Sequence, residues 1–294
     1  MADDKTIIAD AGSSIFQSKP DKKSHACLVQ YSGTNIGRRY VIDQIDMVIG
    51  RSPECSITVN EQSVSRKHAS CTTVDGEVSI QDLGSSNGTF VNDNKIDTKT
   101  LQDGDILRLG TVLFKYFAQG NVENIFHDKI YRMATIDGGT QTFNKQYLLE
   151  SLDSEFQFSK TYGRPLSVIY FDLDHFKKVN DTYGHNAGDF ILSELSQLVK
   201  SIVRKDDIFC RFGGEEFVIL LPNTDARTAY DSAERIRKTV EENVFSTEGH
   251  SLKQTVSLGV SQLQPSMNTP KDFLEDADKK LYQSKQNGRN QVTI

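Results

Sequence analysis

The side chains best able to do chemistry in this 294-residue sequence are acids placed beside two glycines and at the end of an apolar stretch. Gly213 and Gly214 separate two β-type stretches and predict a two-residue hairpin turn with Glu215 at its exposed tip. Asp172 and Asp174 end a stretch that predicts a buried strand, at the edge where α/β sheets place ligands. Acids that converge from two strands indicate a Mg²⁺ site, because Mg²⁺ prefers one or two carboxylates plus substrate phosphates. For the two aspartates alone, ordinary solvation of a strand end is the alternative.

A second group of residues, in the first half of the chain, is suited to binding a phosphate. Arg51 offers a planar fork of donors, and the hydroxyls of Ser65 and Ser86 can donate to phosphate oxygens. Asn87 can hydrogen-bond a peptide backbone, and with Gly88 it also predicts a hairpin turn. In a chain of net charge −6, a local positive pocket predicts a discrete anion rather than a long polyanion.

Two different patterns of apolar residues surround these groups. Between Ala26 and Phe117, short apolar stretches alternate with Gly, Asn and Asp, which predicts an antiparallel β-sandwich of roughly ten strands. From Phe143 onward the pattern predicts an α/β domain whose mixed sheet is covered by helices. Between them, one apolar stripe predicts an amphipathic connecting helix that packs on its own domain or on a second copy of the chain. The stripe consists of Val122, Phe126, Ile130 and Met133.

The same patterns give the bounds of elements and domains. Helices of the α/β domain are predicted over 144–162, 189–203, 224–243 and 270–286. Strands are predicted over 165–171, 207–212, 215–221, 255–263 and 291–294. The domain prediction is a flexible tail over 1–25, the sandwich over 26–118, the connecting helix over 119–136 and the α/β domain over 137–294.

Composition excludes several classes of protein. Apolar residues make up 37% and charged residues 25%, as in soluble globular proteins. No apolar run approaches the roughly 18 residues that cross a bilayer, and the N-terminus lacks the pattern of a signal peptide. The acidic balance argues against nucleic acid polymers as partners. Four cysteines without a Cys-x-x-Cys pair indicate reduced thiols in a cytoplasmic protein, namely Cys27, Cys55, Cys71 and Cys210.

Residues 26–118 resemble a forkhead-associated (FHA) domain through the patterns G-R, S-x-x-H and S-S-N-G-T. The resemblance implies an all-β sandwich that binds phosphothreonine peptides. It assigns peptide binding to Arg51, Ser65, Arg66, Ser86 and Asn87, and a bracing role to His68. Thr6 in the polar tail is a candidate phosphosite, whose phosphate would add about −2 charge opposite Arg51. An unmodified tail is the alternative.

Residues 137–294 resemble the GGDEF domain of diguanylate cyclases, here in a GGEEF variant. The resemblance rests on the segments 171–177, 180–181, 184–189, 213–217 and 277–290. The family condenses two GTP into cyclic di-GMP and releases pyrophosphate. The resemblance therefore implies a nucleotidyl-cyclase-like fold and a homodimer in which each domain holds one GTP. It also implies two Mg²⁺ ions per active site, or Mn²⁺ in their place, in a bacterial, cytoplasmic enzyme.

The resemblance also implies a role for each matching residue. The metal ligands are Asp172, the Leu173 carbonyl and Glu215, and Glu216 either assists removal of the 3′-hydroxyl proton or only shapes the tip. The substrate-binding residues are Lys177, Asn180, Asp189, Gly213, Gly214, Lys285 and Arg289. Of these, Asn180 and Asp189 would bind guanine and the three cations would neutralise the triphosphate. An inhibitory product site would consist of Arg204, Asp207 and Arg235, and a solvated charged turn is the alternative there.

One segment departs from the family pattern. The family opens this domain with D-x-L-T-G-L-x-N-R, whereas residues 137–145 keep only Asp137, Thr140 and Asn144 of it. We therefore expect a looser opening turn and weaker coupling between the connecting helix and the active site. The alternative to a working cyclase is a catalytically silent FHA scaffold that senses GTP or cyclic di-GMP.

Overall fold

The computed structural model describes residues 25–33, 35–204, 206–247 and 250–294, and only the backbone of residues 122–128 and 247. Contacts divide the chain into two compact units, with the boundary between Ile130 and Tyr131. The candidate phosphosite Thr6 lies outside the described residues.

The first unit is a β-sandwich of two sheets. Its strands are β1 (Cys27–Gln30), β2 (Arg39–Val41), β3 (Asp46–Gly50), β4 (Ile57–Thr58), β5 (Ala69–Val74), β6 (Glu77–Asp82), β7 (Thr89–Val91), β8 (Asn94–Ile96), β9 (Thr98–Thr100), β10 (Ile106–Leu109) and β11 (Val112–Phe117). One sheet has the order β2-β1-β11-β10-β7-β8 and the other β4-β3-β5-β6-β9. Side chains from both sheets form one core, including Leu28, Ile49, Cys71 and Phe114. The predicted sandwich is confirmed, although β4 pairs with β3 in parallel.

Helix α1 (Val122–Thr135) follows the sandwich, within the segment where the sequence predicts a connecting helix. Two residues of the predicted stripe, Ile130 and Met133, are 48% and 75% exposed. The side chains of Val122 and Phe126 are not among those described. In a single chain, the described part of the stripe is therefore uncovered.

The second unit is an α/β domain. Its strands are β12 (Leu166–Leu173), β13 (Ile208–Gly213), β14 (Glu216–Pro222), β15 (Phe245–Thr247), β16 (His250–Leu252), β17 (Val256–Gln262) and β18 (Val292–Thr293). Its helices are α2 (Lys145–Tyr162), α3 (Phe176–Tyr183), α4 (His185–Lys200), α5 (Ala226–Glu242) and α6 (Pro270–Gln286). The main sheet has the order β13-β14-β12-β17-β18, in which only β17 and β18 pair in parallel. The predicted mixed sheet is confirmed.

Side chains of the central strand β12 alternate between two cores, as expected for a strand covered on both faces. Ile169 and Phe171 pack in the core that α3, α4 and α5 cover. Val168 and Tyr170 pack in the core of α2 and α6. Asp172, two residues after Tyr170, therefore lies on the α2 and α6 side of the sheet.

Two elements of this unit were absent from the prediction. Helix α3 covers residues that the sequence left without an element, and the predicted helix 189–203 instead spans His185–Lys200. The short hairpin β15–β16 was also missed. The sequence Asn180-Asp181-Thr182 is a poor helix former, so α3 depends on the tertiary burial of Phe176 rather than on propensity.

Helix α6 lies directly against β17 because Gly259 has no side chain. A Cβ at Gly259 would overlap the Ala277 carbonyl oxygen and the Leu281 nitrogen, both of which are backbone atoms. The start of α6 is fixed by a capping box between Thr269 and Asp272. The close packing and the cap together fix where the far end of α6 lies.

We expect Gly259→Ala to lower the free energy of unfolding of the second unit by about 1–3 kcal/mol, because the new methyl group forces α6 away from β17. Urea denaturation followed by far-UV circular dichroism measures this change. Gly138→Ala is the matched control, since a Cβ there meets nothing within 4 Å. Equal stability of the two variants would contradict the close contact.

Candidate active site

The glycine hairpin joins β13 to β14, but its turn differs from the predicted one. Gly213 pairs with Glu216, so the two central residues are Gly214 and Glu215 rather than the two glycines. Gly214 has φ 52° and Glu215 has no positive φ, so the turn is not of type I′, which needs positive φ at both central residues. A register shift between Arg211 and Gly213 bends the strand just before the turn. Glu215 therefore lies within the turn itself.

The register of the sheet places Asp172 directly opposite Glu216 on the neighbouring strand. Asp172 is buried, and the Lys285 Nζ of α6 lies 3.0 Å from its Oδ2. Lys285 reaches the strand from the last turn of α6. One buried carboxylate and one partly exposed ammonium thus form an ion pair beside the glycine turn.

The electrostatic surroundings of Asp172 raise the pKa of its carboxyl to about 6. Burial is the largest cause, and the charge and hydrogen bond of Lys285 act in the opposite direction. The negative charges of Glu215 and Glu216 raise the pKa further, so both glutamates lie within electrostatic range of Asp172. The structure therefore brings the acids of the two strands together, as the site hypothesis requires.

The donors at this point suit a hard divalent cation. Asp172, Glu215 and the Leu173 carbonyl supply only oxygen, which Mg²⁺ and Mn²⁺ prefer. Among the described residues no group of three or more acidic, histidine or cysteine side chains could hold a metal alone. A cation here would need further ligands such as substrate phosphates, and it would compete with Lys285 for Asp172.

Asp174 does not share this role, although the sequence placed it beside Asp172. Its carboxylate accepts hydrogen bonds from Ser257 Oγ at 2.6 Å, Thr255 Oγ1 at 2.7 Å and the backbone nitrogen of Asn290 at 3.0 Å. Asp174 is buried, and these donors occupy both of its oxygens. The expectation that both aspartates face a cation is wrong for Asp174, whose acceptors are used within the fold.

The proposed guanine-binding residues lie on α3 and α4. Asn180 is half-buried on α3 and Asp189 is exposed on α4. Gly188 allows the two helices to approach, because a Cβ there would overlap Asn180 Oδ1 and lie 3.1 Å from Phe176 Cζ. The structure thus places the Asn180 amide next to the residue that precedes Asp189. The sequence missed this role of Gly188, although its place in the quoted segment 184–189 was a signal.

The cations proposed to bind the triphosphate lie at the ends of two helices. Lys177 is exposed in the first turn of α3, which follows β12 closely. Arg289 is exposed just beyond α6 and has φ 67°, in the left-handed region. Lys285 is the cation that the structure places directly on Asp172. The roles of these three residues in substrate binding stay predictions.

In the proposed inhibitory site, one carboxylate lies within electrostatic range of two arginines. Asp207 accepts a hydrogen bond from the Arg204 backbone nitrogen at 2.8 Å. Burial raises the pKa of Asp207, and the charges of Arg204 and Arg235 oppose that shift. The Arg235 guanidinium donates to the Ile202 carbonyl at 3.2 Å. The structure therefore brings Arg204, Asp207 and Arg235 together at the start of β13.

The opening turn before α2 is well hydrogen-bonded, so the expectation of a loose turn is wrong. Asp137 Oδ1 accepts from the backbone and hydroxyl of Thr140 at 2.9 and 2.7 Å. Arg211, which sequence reasoning missed, donates to Asp137 at 3.3 Å and to the Gly214 carbonyl at 2.9 Å. Thr142 and Lys200 add further bonds to this turn. The polar side chains of this turn stabilise it without the family's leucines.

The loops of the first unit converge around His68, as its bracing role requires. His68 is buried, and its Nδ1 accepts the Ser65 backbone N–H at 3.0 Å while Nε2 lies 3.2 Å from the Gly88 carbonyl. Burial lowers the pKa of His68, which favours the neutral ring that these two bonds need. The Ser86 backbone donates to Ser65 Oγ at 3.0 Å, leaving the Ser65 hydroxyl hydrogen available for a ligand. The Arg51 backbone nitrogen donates to the Ser65 carbonyl at 2.9 Å.

The remaining proposed peptide contacts lie on the same loops. Asn87 Nδ2 donates to the Ser63 carbonyl at 2.8 Å, which fixes this side chain at the loop surface. Arg66 and Ser86 are exposed and Arg51 is half-buried. The structure thus brings the predicted phosphopeptide residues together, and their roles stay predictions.

Asp82 organises the loop over residues 84–89, and sequence reasoning did not identify it. Its carboxylate accepts from the backbones of Gly84 and Ser85 and from the hydroxyls of Ser85 and Thr89. Burial alone would raise the pKa of Asp82, but these hydrogen bonds lower it to about 2. An acidic residue two positions before a glycine at a strand end was the available signal.

Each of the two units contains a segment that matches the model of a known protein family. The model described as "Diguanylate cyclase, GGDEF domain" matches residues 134–291, and the FHA domain model matches residues 47–110. Because the first of these covers more than half of the sequence, the chain belongs to the GGDEF diguanylate cyclase family and also carries an FHA domain.

Curated relatives match the second half of the chain. Diguanylate cyclase A of Treponema denticola is 42% identical over 58% of this chain and 47% of its own length. The response regulator PleD of Caulobacter vibrioides is 40% identical over 56% of this chain and 37% of its own length. A diguanylate cyclase of Vibrio cholerae is 37% identical over 57% of this chain and 51% of its own length. The chain thus spans about half or less of the curated relatives it matches.

Solved structures of GGDEF proteins also resemble this chain in fold. The coiled coil and GGDEF domain of DgcB from Caulobacter crescentus, in complex with c-di-GMP, has a TM-score of 0.55 and 29% identity over 58% of this chain and 92% of that chain. The diguanylate cyclase SiaD from Pseudomonas aeruginosa, in complex with its activator SiaC, has a TM-score of 0.54 and 32% identity over 58% of this chain and 66% of that chain. Across the described residues, no helix is both long and apolar enough to span a membrane.

We expect the Asp172 carboxyl to titrate with a midpoint near pH 6, well above its ordinary value of 3.8. Added Mg²⁺ should move the midpoint down, because a bound cation favours the charged form. The folded state holds the carboxyl proton of Asp172 more tightly than the unfolded state does. The contribution of Asp172 to the free energy of unfolding is therefore fully present below pH 3.8 and is lost as the pH rises through about 6. Carboxyl ¹³C NMR measures the titration.

Asp172→Asn assigns the resonance, and Asp82, with its pKa of about 2, serves as an internal contrast. An Asp172 midpoint near 4 would show that burial and the neighbouring acids do not act as described.

Proposed function

We propose that this protein is a diguanylate cyclase, which joins two GTP molecules into cyclic di-GMP and releases two pyrophosphates. The observation that carries the proposal is the arrangement of Asp172 opposite Glu216, beside Glu215 in the turn and within 3.0 Å of Lys285. Membership of the GGDEF family and the named activities of the relatives support it. The cytoplasm, where GTP is available, is the proposed location.

Two Mg²⁺ ions, or Mn²⁺ in their place, are the proposed cofactors, held by Asp172, Glu215 and the Leu173 carbonyl. Such ions, when bound, acidify an attacking hydroxyl and stabilise a pyrophosphate leaving group. Glu216 lies opposite Asp172 on the neighbouring strand and is proposed to assist removal of the 3′-hydroxyl proton, with shaping the tip of the turn as the alternative. Burial makes Asp172 a stronger acceptor for a cation than a solvated carboxylate would be.

Asn180 and Asp189 are proposed to select guanine. Guanine presents an N1–H and an exocyclic amine on the same edge, and the Asp189 carboxylate can accept from both. Adenine has no donor at N1, so it would leave that carboxylate without a partner. The contact that Gly188 permits supports this role, because it places the Asn180 amide against the residue that precedes Asp189 in the chain.

The triphosphate is proposed to lie between the glycine turn and the ends of α3 and α6. A Cβ at Gly213 or Gly214 would meet no protein atom within 4 Å, so the space next to the turn can hold a ligand. Lys177, Lys285 and Arg289 are the cations proposed to neutralise the phosphates. When substrate and cations bind, Lys285 would exchange its Asp172 partner for a phosphate oxygen.

Catalysis is proposed to require a homodimer, because each domain holds one GTP and both new bonds join two GTP molecules. The exposed Ile130 and Met133 of α1 are candidates for contacts between the two copies. Product feedback is a further part of the proposal, with cyclic di-GMP bound by Arg204, Asp207 and Arg235. The electrostatic coupling among these three residues supports it.

The FHA domain is proposed to bind a phosphothreonine peptide and thereby regulate the cyclase. Arg51, Ser65, Arg66, Ser86 and Asn87 are the proposed contacts. The hydrogen bonds that join their loops support the proposal, because they fix the loops before a ligand binds. The chain's own Thr6, when phosphorylated, is the proposed ligand in this or a neighbouring copy.

We expect the purified chain to convert GTP with Mg²⁺ into cyclic di-GMP and two equivalents of pyrophosphate. Glu215→Ala should lower the rate by more than about 100-fold, because a metal ligand supplies several kcal/mol of transition-state stabilisation. Product chromatography measures the conversion.

Glu275→Gln is the control for that experiment, since Glu275 is an exposed acid paired only with Lys271 in the described structure. Rates should also rise with dimer concentration. Firm binding of GTP by the dimer without any cyclic product would contradict the cyclase and favour a silent sensor.

We expect a synthetic peptide of the tail phosphorylated at Thr6 to bind the full chain, and the unphosphorylated peptide to bind at least about tenfold more weakly, because the phosphate meets a fixed cation. Arg51→Ala should remove this preference, whereas Lys115→Ala, a cation on strand β11, should keep it. Isothermal calorimetry measures both. Equal affinity for the two peptides would exclude Thr6 as the ligand.

A further inference from the structure

The chain that follows α6 takes an uncommon backbone conformation. Gly288, Arg289 and Asn290 have φ of 113°, 67° and 45°, three positive values in succession. Glycine adopts such angles freely, whereas other residues rarely adopt them unless their surroundings hold them. Two non-glycine residues in this conformation therefore require specific contacts to hold them.

Those contacts come from Asn290. Its backbone N–H donates to Asp174 Oδ2 at 3.0 Å. Its side-chain Nδ2 donates to Glu241 Oε1 at 2.7 Å, and its Oδ1 accepts from Arg237 Nη1 at 3.0 Å. Asn290 is thus attached to the end of β12 and to α5 at once, although 116 residues separate it from Asp174.

The partners of Asn290 are themselves fixed. Arg237 is only 13% exposed and donates also to Glu241 at 2.8 Å and Glu234 at 3.2 Å. Hydrogen bonds from Asn290 and Arg237 lower the pKa of Glu241, so it stays charged at neutral pH. Asp174 is held by two hydroxyl donors on and beside β17. The attachment is therefore rigid on both sides.

Arg289 itself has no such support. Its backbone N–H donates to the Ser284 carbonyl at 3.0 Å, but among the described residues its exposed side chain makes no hydrogen bond or ion pair. The backbone turn therefore sets the direction in which the Arg289 side chain leaves the chain. The turn lies one helical turn beyond Lys285, which contacts Asp172.

We propose that Asn290 is a positioning residue, which holds Arg289 in the left-handed conformation that points its guanidinium at the triphosphate of GTP. The inference rests on the proposed function, since it assigns Arg289 to the terminal phosphates. Asn290 contacts no substrate in this scheme and acts only through Arg289. Asp174 and Arg237 anchor it, which explains why Asp174 is a structural acceptor rather than a cation ligand.

The test is a double-mutant cycle on the full chain, with binding of 3′-deoxy-GTP measured by calorimetry in Mg²⁺. This probe has no 3′-hydroxyl and cannot react. Arg289→Ala and Asn290→Ala should each weaken its binding about tenfold, and the double variant should be no weaker than Arg289→Ala within about twofold. Binding of 3′-deoxyguanosine monophosphate should be unchanged by Asn290→Ala, because the terminal phosphates are absent.

Asn287→Ala is the matched control, since Asn287 is an exposed asparagine two residues before Arg289 with φ −82°. If Asn290→Ala does not fold, Asn290→Gly tests the same point, because it accepts the positive φ but lacks the side-chain anchors. Losses that multiply in the double variant, or equal losses for monophosphate and triphosphate, would overturn the proposal. Binding of 3′-deoxy-GTP by a wild-type chain that makes no product from GTP would instead contradict the cyclase alone, and the cycle would still decide the role of Asn290.

Discussion

A buried carboxylate at the end of a central strand is paired with one lysine while two further acids lie beside it. Asp172 is desolvated and repelled by Glu215 and Glu216, and Lys285 at 3.0 Å is the described cation that offsets this. Burial of an uncompensated charge is costly, so the fold must bring α6 to this point of the sheet. The same concentration of negative charge is what a divalent cation would neutralise.

The position of α6 follows from contacts other than its ion pair with Asp172. Gly259 lets the helix lie against β17, and the capping box of Thr269 and Asp272 fixes where it begins. Beyond its end, Asn290 ties the chain back to α5 and to Asp174. The segment that carries Lys285 and Arg289 is therefore attached on both sides, so the backbone positions of these two cations are fixed before any ligand binds.

Each unit has a buried or half-buried aspartate that organises a loop next to one of the proposed phosphate sites. Asp82 in the FHA domain and Asp174 in the GGDEF domain each accept several hydrogen bonds from a loop and are not themselves aimed at a ligand. An acceptor of this kind satisfies the backbone donors of an irregular segment, so the segment can keep a conformation suited to binding. Arg211 acts similarly between the opening turn and the glycine turn, as a donor to both.

The sequence alone determined the two classes of domain, the mixed sheet and most of the candidate residues, because strand alternation, helical spacing and the motif around Gly213 are local patterns. It also indicated that acids of two strands meet, which the register of Asp172 and Glu216 bears out. It did not determine that the turn is Gly214-Glu215, that α3 exists or that the Asp174 carboxylate accepts hydrogen bonds within the fold, among them one from Asn290. Those features depend on strand register, on the burial of Phe176 and on a hydrogen bond between residues 116 positions apart. Only the tertiary structure decides them, because each is set by groups that become neighbours when the sheet and its helices are assembled.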